Sequence, residues 1–137
     1  MSSTFFHRWK SQPSRFFGTV YVPVCVLSVR DTAGAWRDIE VVVDSGAAVT
    51  LLKRSFGDFL GIDVMRGRPL SLSGIAGSAV ETRVHEMRVR LGHIEMGIPV
   101  AIATDDRPPN LLGRVGVFDR LRVEFSGGRR QTVFADE

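Results

Sequence analysis

Cysteine is nearly absent from this chain: Cys25 stands alone among 137 residues, which rules out an internal disulfide. Within the apolar run VPVCVLSV it reads as a small buried hydrophobe. Lysine is almost as scarce, since Lys10 and Lys53 are the only two. The basic side chains are therefore nearly all arginine, scattered along the sequence, and 18 basic against 15 acidic residues leave a formal charge of +3. Despite a pI near 9.7, that excess is too small and too dispersed to mark a nucleic-acid partner. Long apolar runs are missing as well. No stretch reaches the roughly 18 apolar residues of a spanning helix, and the opening MSSTFFHRWKSQPSRFF lacks the apolar core of a secretory signal. No membrane association is expected, and a cytoplasmic location is. His7, His85 and His93 form neither an HExxH nor an HxH pattern, and there is no Cys pair, GxSxG elbow or GxxxxGK[ST] loop. The expectation is therefore no metal and no cofactor.

What is present suits one domain of ordinary size. At roughly 150 residues per domain, 137 residues make about one, and 44% apolar residues suffice for a core. Residues 1–15 mix Ser, Pro, basic and aromatic side chains and read as a flexible arm or a docking segment. Residues 16–137 form the domain.

Along that domain the pattern is strand, turn, strand. In residues 16–30 Val20, Val22, Val24 and Val26 recur every second position and are expected to share an inward face. Asp31-Thr32-Ala33-Gly34 supplies turn chemistry, and residues 35–43 end in three valines, as in a strand buried on both faces. Residues 53–60 suit one helical turn before Gly61. After Pro69 two strands flank the tip Ser73-Gly74-Ile75-Ala76-Gly77-Ser78. Val80, Thr82 and Val84 then keep an even phase while Met87, Val89 and Leu91 keep an odd one, which implies a bulge or sharp twist near His85 and Glu86. His85 and Glu86 read as a surface pair. IPVAIA is a buried strand, residues 115–120 a short helix, and Leu121, Val123 and Phe125 one face of a strand that turns at Ser126-Gly127-Gly128 into QTVF. The expected fold class is all-β: a closed or partly closed barrel.

Chemistry concentrates at Asp44-Ser45-Gly46, directly after the triple-valine strand. A carboxylate at the end of a buried strand must be hydrogen-bonded or protonated, because an unpaired buried charge is very costly. Ser45 can donate a hydroxyl, and Gly46 lets a neighbouring backbone or a substrate come close. The tripeptide also starts ordinary turns. Two further features weigh against that simpler reading: the paired-glycine hairpin tip, a natural lid, and Asn110-Leu111-Leu112-Gly113-Arg114 late in the chain.

VVVDSGAAVTLL, the GIAG hairpin and NLLGR together resemble the retropepsin-like aspartic proteases, in particular their bacterial single-domain members, over residues 16–134. The resemblance implies a retropepsin-like barrel with a flap hairpin and one short C-terminal helix, acting as an aspartic endopeptidase on peptide or protein substrates. It implies that Asp44 is the catalytic aspartate, Ser45 the hydroxyl that reaches the partner loop, and Gly46 the carbonyl that meets bound peptide, with Ala47 completing the motif. Residues 73–78, with Gly74, Ile75, Ala76 and Gly77 at the centre, match the flap that closes on substrate. Leu111, Leu112 and Gly113 match the segment threading behind the catalytic loop, and Arg114 opens the late helix.

Such proteins resemble half of a pepsin, which implies a homodimer with the site on its two-fold axis. Metal-free peptide hydrolysis needs a base and an acid, supplied by two carboxylates sharing a proton. Asp31 lacks the glycine at the third position, and Asp105 and Asp106 read as a solvated turn. The second carboxylate is thus expected from Asp44 of another copy. Val49, Ile75, Ile102 and Leu112 are the expected pocket residues. In many viral members an acidic residue two positions after the motif glycine pairs with the late arginine; here that position is Ala48, so Arg114 needs another partner, Asp119 or Asp38. The alternative function is a dimerising or peptide-binding module without hydrolysis.

Overall fold

Alternating apolar residues and short glycine-, proline- and Asp-bearing turns place most of the chain in strands. The computed structural model describes residues 4–74 and 77–137. In chain order they form β1 (Thr4–Arg8), β2 (Lys10–Ser14), β3 (Gly18–Val22), β4 (Val24–Arg30), β5 (Trp36–Val43), β6 (Thr50–Leu52), α1 (Arg54–Phe59), a 3-10 turn (Val64–Arg66), β7 (Arg68–Ser73), β8 (Ala79–Leu91), β9 (Ile94–Ala103), β10 (Leu111–Leu112), β11 (Leu121–Ser126) and β12 (Gln131–Asp136). No helix among the described residues is long and apolar enough to cross a membrane.

The main sheet runs β4-β5-β10-β6-β9-β8-β7, and β8 also pairs with β4 through Ser28↔Arg90 and Val29↔Val89. That last pairing closes six strands into a barrel and leaves β7 outside the ring as the hairpin partner of β8. Strands β5 and β6 follow one another in sequence but are not neighbours. Strand β10 lies between them, parallel to β5 and antiparallel to β6. The loop joining β5 to β6 therefore wraps around the end of β10.

Leu27, Val29, Ile39, Val41, Leu52, Val89, Leu91, Met96, Ile98, Ile102 and Leu112 of the barrel strands are buried in one cluster with Phe134 of β12. Each such side chain withdrawn from water contributes about 1.5–3 kcal/mol. Cys25 belongs to this core, and burial pushes its thiol pKa up to about 12. A second, smaller cluster of Val49, Leu51, Ala101 and Ala103 lies apart, with Leu72, Val80, Val84 and Leu111 against it.

Several local expectations are corrected. The inward face of β4 carries Cys25, Leu27 and Val29, whereas Val26 is exposed; both parities of this stretch are apolar, so alternation alone could not choose between them. Strand β5 likewise turns Ile39, Val41 and Val43 inward and leaves Val42 half-buried. No bulge interrupts β8, which pairs with β9 in unbroken register from Thr82↔Ala103 to Leu91↔Ile94. The phase change instead marks two apolar faces. Val80 and Val84 face the second cluster, and Met87, Val89 and Leu91 face the barrel core. His85 is half-buried and not part of a surface pair: its Nε2 lies 2.9 Å from the carbonyl of Val64, which can only accept, so this nitrogen carries the proton.

The late helix is also absent as such. Residues 115–120 are successive turns, and the α-helix of the described chain is α1. Gly116 takes φ +81°, which ends helical geometry there, and a Cβ at that position would lie 2.7 Å from Ile98 Cγ2.

Residues 4–14 do not form the loose arm expected for 1–15. Strand β1 pairs antiparallel with β12, which pairs on its other edge with β11. Phe5 stacks on Phe134 at 5.1 Å between ring centroids, and Trp9 Nε1 donates to the buried Thr132 hydroxyl at 2.9 Å. The inward set Phe5, His7, Trp9 has strand period, obscured in the sequence by the polar residues between and after it.

This packing has a pH consequence. His7 packs edge-on against Phe5 and Phe134, and burial lowers its pKa from the ordinary 6.5. The folded state then binds the proton less readily than the unfolded one. Its stabilising effect is complete above about pH 6.5 and is lost as pH falls through the lowered value. Amide exchange in β1 and β12, corrected for intrinsic rates, should accelerate below that pH, and His7→Gln should flatten the dependence. An identical slope in the variant would exclude His7 as its source.

Candidate active site

Asp44 stands one residue past the end of β5, half-buried, in a loop whose backbone fixes it from three directions. Its N–H donates to the Leu112 carbonyl at 3.0 Å, and its own carbonyl accepts the Ala47 N–H at 3.2 Å. Its Oδ1 accepts the Gly46 N–H at 2.8 Å. Oδ2 has no hydrogen-bond partner among the described residues. The bond to Oδ1 orients the carboxylate.

The segment after β10 is stitched to this loop almost residue by residue. Gly113 N–H donates to the buried Thr50 hydroxyl at 3.1 Å, Arg114 N–H to Ala47 O and Val115 N–H to Ala48 O, both at 2.9 Å. Gly113 passes so close that a Cβ there would lie 2.3 Å from the carbonyl carbon of Val49. Arg114 Nη1 donates to the Ser45 carbonyl at 2.8 Å. Neither expected carboxylate is its partner, because Asp119 accepts from the Gly116 N–H and Asp38 from the Ser28 hydroxyl. A backbone carbonyl thus takes the place of the acidic side chain that Ala48 cannot provide.

A groove of about 710 Å³ opens in front of Asp44. Ala47, Val49, Leu51 and Leu111 line one side, and Leu72, Ser73, Gly74 and Val80 of the β7–β8 hairpin line the other, with Pro108 and Pro109 at the edge. Gly74 N–H donates to the Ser78 carbonyl at 2.7 Å, narrowing the hairpin toward its tip. Gly77 takes φ +76°. Ile75 and Ala76, expected at that tip, lie outside the described residues.

Of the expected pocket residues Val49 lines the groove, while Ile102 and Leu112 turn into the barrel core. Leu111, the neighbour of opposite parity, occupies the groove instead. Sequence reasoning also passed over Thr50, whose buried hydroxyl receives the Gly113 N–H, and the Pro108-Pro109 edge. A threonine before two leucines gives no sign of this role, since its partner is far away in the chain.

Other carboxylates are engaged elsewhere. Asp31 accepts from the Ala33 and Ala35 N–H groups and closes the β4–β5 turn. Asp105 is held below the usual carboxylate range chiefly by its hydrogen bond from the Arg107 side chain, and Asp106 by the Ser55 N–H. Asp106 thereby anchors the start of α1 and does more than sit in a solvated turn. Asp44 is the one carboxylate lining the groove among the described residues.

A family model described as aspartyl protease matches residues 28–115. The chain belongs to the aspartyl protease family. That span begins in β4 and contains Asp44, the β7–β8 hairpin and Gly113, so this protease is an aspartic-type endopeptidase. Among solved structures, a retropepsin-like aspartic protease from Rickettsia conorii is similar with a TM-score of 0.59 at 16% identity, covering 96% of this chain and 98% of that one. The EIAV protease complexed with the inhibitor HBY-793 is similar with a TM-score of 0.53 at 23% identity, covering 68% of this chain and 82% of that one. These two likenesses speak to the fold, which is retropepsin-like. Comparison with curated proteins yields no match.

Proposed function

We propose that the protease hydrolyses peptide bonds with a pair of Asp44 carboxylates, one from each of two copies of the chain. The observation that carries this reading is the solitary Asp44 at the floor of the groove. Hydrolysis without a covalent intermediate requires one ionised carboxylate to take a proton from water. A second, protonated one must give a proton to the scissile carbonyl oxygen. One chain offers one of the two.

Ser45, exposed beside Asp44, is the residue whose hydroxyl would reach the opposing loop. Gly46 would present its carbonyl to bound peptide. An extended substrate would lie between this floor and the β7–β8 hairpin with Gly74, Ile75, Ala76 and Gly77 at its tip. Backbone hydrogen bonds would hold it there, and the apolar walls of Val49, Leu72, Val80 and Leu111 would select alternate side chains. Leu112, Gly113 and Arg114 act from behind by holding the loop.

Activity measured against protein concentration tests the reading. Specific activity should fall on dilution in step with dissociation of the dimer, with mass in solution recorded on the same samples. Undiminished specific activity where the chain is wholly monomeric would overturn it.

A further inference from the structure

We propose that the β2–β3 hairpin, with Phe16 and Phe17 at its tip, is the clasp by which one copy of this chain holds a second copy beside the Asp44 loop. This rests on the reading that the dyad is shared between two copies and adds to it the element that holds them.

The tip is built to present two aromatic rings to the outside. Phe16 and Phe17 are 88% and 74% exposed, the largest values among the exposed large hydrophobic residues. They are nevertheless held in place. The Ser14 hydroxyl oxygen accepts from the Phe16 N–H at 3.3 Å and the Phe17 N–H at 3.0 Å, and Gly18 turns the chain at φ +78°. The rings meet edge to face with centroids 5.0 Å apart. A preorganised apolar pair loses little conformational entropy when covered.

The hairpin also stands apart from the barrel. Strands β2 and β3 form a two-stranded sheet of their own, and such a ribbon is marginal in water unless something packs on it. At its base Arg130 lies over the Tyr21 ring, 3.7 Å from the centroid, and Lys10 pairs with Glu40 at 3.3 Å. These ties fix where it springs from and leave the tip uncovered.

Its point of origin favours a second copy. The Val43 N–H donates to the Pro23 carbonyl at 2.8 Å, so the end of β3 lies against the residue that precedes Asp44. A partner that brings its own Asp44 to the groove therefore approaches a loop beside which the hairpin has its base. Strand β12 has β1 on one edge and β11 on the other within the same chain, so that strand is not free to pair with a partner. The area is adequate. Four rings across a two-fold, at roughly 150–250 Å² each, bury about 600–1,000 Å², and the Asp44 loops add the remainder of the roughly 1,200 Å² that a stable interface needs.

The test is the double variant F16S/F17S in the full chain, compared with wild type by sedimentation equilibrium and by peptidase activity over a concentration series. With four rings lost from the interface, the dimer dissociation constant should rise by at least about 100-fold. Activity should vanish at low concentration and return at high concentration with kcat per dimer unchanged. A dissociation constant within about threefold of wild type (about 0.65 kcal/mol) would overturn the clasp and leave the shared dyad standing. A wild-type chain that stays monomeric at every concentration would overturn the clasp, and hydrolysis by that monomer would overturn the dyad too. Vesicles of phosphatidylcholine and phosphatidylserine form the control arm, since Arg15 adjoins the tip. Vesicle binding abolished by F16S/F17S, with an unchanged dimer constant, would assign the rings to a lipid surface instead.

Discussion

Asp44→Asn should reduce kcat for peptide hydrolysis by at least about 10⁴-fold, the scale on which members of a catalytic constellation fail when removed, while fold and dimer stay intact. The geometry separates the two effects. Oδ1 accepts the Gly46 N–H, and an asparagine side-chain oxygen can accept the same bond, so the loop keeps its shape. An amide nitrogen in place of the second oxygen cannot take a proton from water. If the pair is shared between copies, adding Asp44→Asn chains to wild type above the dissociation constant should also silence wild-type chains, halving their activity at equal amounts. Full activity of the variant, with an unchanged melting temperature, would remove Asp44 from the mechanism. Indifference of wild type to the added variant would confine the chemistry to one chain.

The second large effect is expected at Gly113→Ala. The added methyl would lie 2.3 Å and 2.4 Å from the carbonyl carbon and oxygen of Val49 and 2.8 Å from the Thr50 nitrogen. These are backbone atoms and cannot swing aside as a side-chain end would. Overpacking of this kind costs about 3 kcal/mol, a large share of the 5–15 kcal/mol typical of a domain, and should lower the melting temperature by roughly 10 °C. Activity at temperatures where the variant remains folded should fall as well, because relief of the clash displaces the strand leaving the Asp44 loop. Gly127→Ala and Gly128→Ala are the controls: a Cβ at either position meets nothing within 4 Å, and both should be close to neutral. A Gly113→Ala protein that melts with these controls would show that the close approach is readily relaxed.

The two substitutions also separate what could be read from residues and what could not. The place of Asp44-Ser45-Gly46 at the end of an apolar strand was legible because the signal is local: three valines followed by a carboxylate and a glycine mark where the strand stops and the loop begins. The helical turn at α1, the paired strands β7 and β8 and the buried run in β9 were legible for the same reason. Gly113 was legible as a motif residue but not as a close contact. Its neighbour Val49 lies far back in the chain, and nothing in NLLG states which backbone it will touch.

Parity was the systematic blind spot. Strand β4 is apolar at both phases, so Cys25, Leu27 and Val29 could not be told from Val24 and Val26 as the inward set. In β10, Leu111 and Leu112 are chemically equal, yet one lines the groove and the other fills the core. The phase change in β8 looked like a bulge because a single buried face was assumed. The strand serves two clusters, one on each side.

By itself the sequence determined a β-rich chain with an Asp-Ser-Gly turn directly after an apolar strand. Composition, strand period and turn residues act over a few positions and survive without the rest of the molecule. Tertiary structure decided that β10 enters between β5 and β6, that β1 closes on β12, that Arg114 settles on the Ser45 carbonyl, and which leucine faces Asp44. Each of those outcomes depends on pairing between distant segments. An apolar residue is rewarded equally for burial on either face until its partners are in place.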